Sequence, residues 1–278
     1  MRFAIFAIGA ALAAVLAGFG APRPAAADTI TVTVSPGCGT IAACIGTANP
    51  GDTIYIPAGA YTESATLDKA ASLIGAGASA SVWVAPSNDR ILTVTAPMTA
   101  STVIANLTFR DASFLGFGGA IRLQGGAQPA LRRLSFVSNS ATGGGAISTY
   151  AGLNLADSEF KLNASTTLTG GAIAAAAGSI YITRTNFYTN FAAGDGGALY
   201  VANGAVSVLG GMYRQNAANG FGGALMNFGV DDVRMEGVTL ESNSASNGGG
   251  IASNGLVRLV NALLLTNIAA PGIGGGCW

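Results

Sequence analysis

Short alternations of apolar and polar residues run along the chain, as in Leu153 with Leu155, Ile180 with Ile182 and Val206 with Val208. A period of two sends alternate side chains to one face, so each pair predicts a short strand with one buried side. A longer pattern repeats around these pairs. A large apolar residue is followed three places on by Asn: Phe136 with Asn139, Phe160 with Asn163, Phe187 with Asn190, Tyr213 with Asn216, Leu240 with Asn243, Leu264 with Asn267. Each Asn lies five to seven residues ahead of a Gly pair, and the first glycines, Gly118, Gly144, Gly170, Gly196, Gly222, Gly248 and Gly274, are 26 residues apart throughout. The first repeat departs from this, with Phe109 but Ala112 in the Asn place.

A repeat of this length holds two or three short strands and no helix of normal size. It is too short for a propeller blade, it lacks the helical half of a leucine-rich repeat, and it fits one coil of a parallel β-helix. Coils then stack about 4.8 Å apart and residues of equal phase form columns. The large apolar residues form an internal ridge, each contributing roughly 1.5 to 3 kcal/mol by burial. The Asn residues are expected at an inside corner, in left-handed geometry and bonded to one another as a ladder. The Gly pairs mark another corner, where positive φ or close backbone approach is needed.

Composition narrows the chemistry. The 278 residues include 13 Lys or Arg, 13 Asp or Glu and no His, so the formal charge is zero and no basic footprint for nucleic acid exists. Without His, Ser-His-Asp and Cys-His catalysis and His-ligated metals are excluded, and three scattered cysteines assemble no zinc site. The 53 Ala and 41 Gly suit close backbone stacking. Arg2, an apolar run from Phe3 to Gly20 and Ala25-Ala26-Ala27 read as a signal peptide over residues 1–27, cleaved near Ala27, which leaves 11 basic and 13 acidic residues. No later run is long enough for a transmembrane helix. Cys38 and Cys44, six apart in an exported chain, permit a small disulfide, with Cys277 the odd thiol.

The Gly pairs, which read GGAI at Gly118, Gly144 and Gly170, and the FxxN motifs together resemble the repeats of polymorphic outer membrane proteins and related right-handed β-helix proteins of the pectin-lyase-like superfamily, over residues 109–278. Residues 28–108 are similar to the opening coils of such proteins, with a short amphipathic capping helix at about Thr40 to Ala48. The resemblance implies an all-β, single-stranded right-handed parallel β-helix, exported to the cell surface, the outer membrane or the medium, often as an adhesin. Such proteins commonly carry a membrane β-barrel, whereas this sequence stops at Trp278, so secretion or peripheral attachment is expected. With no visible cap on the last coil, the chain is expected to be a fragment or to self-associate through that coil.

The wider superfamily includes polysaccharide lyases and glycoside hydrolases that act on acidic polysaccharides, some with calcium, the only cofactor in prospect. Such sites need carboxylates at similar phase on neighbouring coils. Counted from the Gly pairs, Asp157 and Glu159 stand opposite Thr183 and Thr185, and Arg132 shares a phase with Arg184. The weak catalytic candidates are Asp231, Asp232, Arg234 and Glu236, the densest mixed-charge cluster. The stronger expectation is a non-catalytic surface protein binding a glycan or cell-surface component through loop aromatics Phe114, Phe117, Phe191 and Phe221. A self-assembling structural layer is the third reading.

Overall fold

Residues 147–165 lay down four short strands in succession, Ile147–Thr149, Leu153–Ala156, Glu159–Lys161 and Ala164–Ser165. Each pairs in parallel with its equivalent one turn away, so that Phe160 lies opposite Phe136 on one side and Phe187 on the other. In the computed structural model, which describes residues 27–32 and 37–278, this unit builds a parallel β-solenoid of about nine turns and about 26 residues per turn. The signal-peptide expectation for residues 1–27 falls outside the described residues but for Ala27. The strands form a wide sheet of 17, to which most turns give two strands, and sheets of eight and seven.

The core is a set of columns. Parallel strands in register bring like residues together, and the rings of Trp83, Phe109, Phe136, Phe160, Phe187 and Tyr213 stack with successive centroids 5.6, 5.3, 4.5, 4.8 and 4.7 Å apart. Leu240 and Leu264 continue the line. The ridge therefore begins two turns before the first FxxN motif, at Trp83. The Trp83 indole N–H donates to the Glu63 carbonyl, but Tyr213 is fully buried and among the described residues its hydroxyl has no hydrogen-bond partner. Burial drives that phenol far above the ordinary tyrosine pKa. An orphaned buried hydroxyl costs about 1 kcal/mol or more, so Tyr213→Phe is expected to stabilise the protein by about that amount. The measurement is the urea midpoint at unchanged slope; a lower midpoint would show that the hydroxyl is satisfied.

The Asn residues form a continuous ladder. Nδ2 of Asn163 donates to Oδ1 of Asn190 at 2.9 Å and to the carbonyl of Phe136 at 3.0 Å, while its backbone N–H donates to the same Asn190 oxygen at 3.0 Å. The pattern repeats from Asn139 to Asn243 and ends on Asn267; at the other end Ala112 gives only its backbone N–H, to Asn139. The left-handed residue at this corner is the one before each Asn, and before Ala112 in the first repeat: Asp111, Ser138, Leu162, Thr189, Gln215, Ser242 and Thr266, with φ from 49° to 58°. The Asn backbone itself is not left-handed, contrary to the expectation from the sequence.

The two glycines of each pair do different work. The first has positive φ, as at Gly170 with φ 69°. The second has ordinary φ but no room, since a Cβ on Gly171 would collide with the carbonyl oxygens of Phe191 and Gly197 in the next turn.

At the N-terminal end helix α1, Ile41–Thr47, covers the first turn with buried Ile41, Cys44 and Ile45. Thr40 caps it by accepting from the Ala43 N–H at 3.0 Å, and the Glu63 carboxylate accepts from the N–H groups of Ile41 and Ala42. A disulfide joins Cys38 to Cys44, with Cα atoms 5.0 Å apart, and Cys277 is a free thiol. No helix among the described residues is long and apolar enough to cross a membrane.

Candidate functional site

In most turns the two strands of the wide sheet meet at a second left-handed corner, and in the other two a single long strand bends there; the position is occupied in successive turns by Asn106, Arg133, Asp157, Arg184, Gly210, Gly237 and Asn261. Inward residues on either side of this corner fill the core, so the corner residue itself is turned out. Strand register fixes the column: Arg132 pairs with Ala156 and Ala156 with Thr183, which brings Arg133, Asp157 and Arg184 into line. Arg184 therefore grips Asp157 with both ends of its fork, Nε to Oδ1 at 2.6 Å and Nη2 to Oδ2 at 2.9 Å. On the turn before, Nε of Arg133 donates to Oδ1 of Asn106 at 2.7 Å.

This column corrects the fixed count from the Gly pairs, which put Asp157 opposite Thr183 and Arg132 in phase with Arg184. Corner residues are 24, 26 or 27 apart although the Gly pairs keep 26, because the connection into the wide sheet varies in length and the one before the next Gly pair compensates. Counting back three residues from Phe136, Phe160 and Phe187 lands on Arg133, Asp157 and Arg184. The aromatic ridge, not the glycine corner, carries the register of this face.

The corner side chains frame a cavity of about 520 Å³, lined also by Ser135, Glu159 and Asn186. The outward positions of the flanking strands include Arg132, Lys161, Tyr181 and Tyr188, and Tyr181, 57% exposed, lines a neighbouring hollow with Gln128 and Asn154. The cavity itself is lined by two cations, Arg133 and Arg184, and two carboxylates, Asp157 and Glu159; Arg132 and Lys161 on the flanking strands bring the cations of this face to four. The hydrogen bonds from Arg184 hold the Asp157 carboxyl below the usual carboxylate range despite some desolvation, with the charges of Arg184, Arg133 and Arg132 acting the same way. Asp157 in turn raises the Arg184 guanidinium. The pair is a fixed dipole and not a proton shuttle, since a general acid or base needs a pKa near the working pH.

The sequence candidates fall elsewhere. Asp231 accepts from the Gly204 N–H at 3.0 Å, Arg234 pairs with Glu236 at 2.7 Å and Asp232 with Arg258 at 3.5 Å, so the four groups are parcelled into separate contacts. Among the described residues no three acidic or thiol side chains converge as a metal site would need. The four loop aromatics do not make one platform. The guanidinium of Arg90 lies 4.3 Å over the Phe114 ring, Phe191 projects from the seven-stranded sheet, and Phe221 packs on Trp278 at 5.1 Å. Phe117 lies across Gly143.

No known protein family matches the chain. No curated protein matches it either.

Proposed function

We propose that the chain is an exported, non-catalytic β-helix protein of the polymorphic outer membrane protein type that binds acidic polysaccharide along the trough over Arg133, Asp157 and Arg184. The observation that supports this reading is the excess of cations around a locked carboxylate. Guanidinium and ammonium groups meet uronate carboxylates, the Asp157–Arg184 pair and Asn186 offer hydrogen bonds to hydroxyls, and Tyr181 supplies a ring for a sugar face. The GGAI and FxxN repeats and the N-terminal apolar run favour secretion or display at the cell surface, in an adhesin-like role. A lyase needs a base, and the Arg184 guanidinium, held protonated by Asp157, is poorly suited to be one.

The test is calorimetric titration of residues 27–278 with polygalacturonate, with a neutral glucan as control. Binding to the acidic polymer alone is expected, weakening as salt rises. Arg132→Ala with Arg133→Ala is expected to weaken it about tenfold. Equal binding of the two polymers, or an unchanged affinity in the double variant, would remove the proposal. The stability that the Asp157–Arg184 pair contributes follows the sign of a depressed carboxyl: it is present above the ordinary value of 3.8 and lost as the pH falls through the lower folded value.

A further inference from the structure

The eight-stranded sheet turns its mid-strand residues outward, and its column reads Arg122, Ser148, Ala174, Tyr200, Met226 in successive turns. Two small residues stand between two large ones. Because turns stack about 4.8 Å apart, this leaves a notch about two turns long between Arg122 and Tyr200. Its walls come from the corners on either side. Phe117 and Thr169 precede Gly pairs, and Tyr150 follows the strand that carries Ser148, with Arg122 lying 5.3 Å over its ring. The result is a cavity of about 120 Å³ lined by Phe117, Ser148, Tyr150, Thr169, Ala174 and Tyr200.

Its chemistry differs from that of the trough. Three aromatic rings border an alanine floor, and no charged side chain lines it. Ser148 is only 3% exposed, and among the described residues its hydroxyl has no hydrogen-bond partner, nor have those of Thr169 and Tyr200. The Ser148 hydroxyl oxygen is not itself sealed from solvent, so it is a donor and acceptor that a ligand in the notch can reach. Burial, helped by the Asp195 charge, raises the Tyr200 phenol, which keeps its proton. The volume is well under the roughly 300 Å³ at which sites for drug-sized ligands begin, so it admits one small ring. Apolar faces with hydroxyls between them match a pyranose, which presents C–H groups on its faces and hydroxyls at its edge.

We infer that this notch is a second binding site, for a single neutral sugar ring, separate from the charged trough on the wide sheet. The trough reading and this one fail separately, because they use different sheets and ligands of different charge.

The experiment is saturation-transfer NMR on residues 27–278 with methyl glucoside, methyl galactoside, methyl mannoside and methyl N-acetylglucosaminide. At least one is expected to receive saturation, strongest at ring C–H protons, with a Kd of about 1 mM for a ligand of this size. Ala174→Leu, which fills the floor, is expected to abolish the signal. Tyr150→Ala and Tyr200→Phe, which leave the floor intact and guard against misfolding of the first variant, are each expected to weaken binding about tenfold. Arg132→Ala with Arg133→Ala is expected to leave it unchanged. No transfer to any of the four glycosides, or transfer that persists in Ala174→Leu and in both tyrosine variants, would overturn the assignment.

Discussion

Asn190→Asp is expected to destabilise the solenoid by about 3 to 5 kcal/mol at neutral pH, the range for leaving a buried charge uncompensated. The side chain is 1% exposed. Its Nδ2 donates to the Phe160 carbonyl at 3.1 Å and to Oδ1 of Asn216 at 2.9 Å, while its Oδ1 accepts two hydrogen bonds from Asn163. A carboxylate keeps the acceptor and turns the donor into a second acceptor facing two oxygens. Protonation restores one donor, so the penalty is expected to shrink as the pH falls, opposite in sign to the behaviour of the Asp157 pair. Asn190→Leu separates charge from hydrogen bonding: it removes the charge problem, orphans both Asn163 donors, and is expected to cost about 3 kcal/mol at every pH. Asn154→Asp, on the outer face of the wide sheet, is expected to fall within about 0.5 kcal/mol of wild type. Urea denaturation across pH reads all three. In a solenoid each turn touches only its neighbours, so faster amide exchange is expected first between Asn163 and Asn216.

Gly171→Ala is expected to prevent folding of the middle turns, with a loss beyond the roughly 4 to 5 kcal/mol that marks exceptional substitutions. The added methyl meets backbone, not a side chain that can swing away: the Gly197 and Phe191 carbonyls of the next turn. Relief requires separating two turns held by the parallel ladder on every sheet. Gly237→Ala is the matched control. It sits at the wide-sheet corner with φ 63° and nothing within 4 Å of a new Cβ, so it faces only the left-handed penalty of about 1 to 2 kcal/mol. Other residues already carry that penalty in the same column, Arg133, Asp157 and Arg184 among them. Thermal unfolding of the two variants distinguishes close approach from conformational freedom as the reason for the pairs. Similar losses in both would contradict close approach as the reason for the second glycine.

Much of the fold is legible in the sequence because a solenoid writes its contacts locally. The 26-residue Gly interval gives the turn, and the FxxN spacing gives the ridge and the ladder. What was not legible has a common cause, the variable connections between strands. Counting from the Gly pairs carried the phase across a connection of changing length and split Asp157 from Arg184. Counting from Phe160 and Phe187 crosses no such connection. The two roles of the Gly pair look alike as letters, since positive φ and lack of space both select Gly. The left-handed position beside each Asn was hidden for the opposite reason, because Ser, Leu, Thr and Gln occupy it and none announces the conformation. The loop aromatics failed as a platform because recurrence near one corner does not make a shared column. Phe117 borders the notch over Ala174.

The central functional claim is that the trough binds an acidic polymer without cleaving it, and size-exclusion chromatography of polygalacturonate held overnight with excess protein, with and without calcium, tests that most directly. Co-elution of polymer with protein, and an unchanged polymer length after the protein is stripped away with salt, is the predicted result. Shortening of the polymer with a gain in the ultraviolet absorbance of an unsaturated product would contradict it, as would polymer and protein eluting apart.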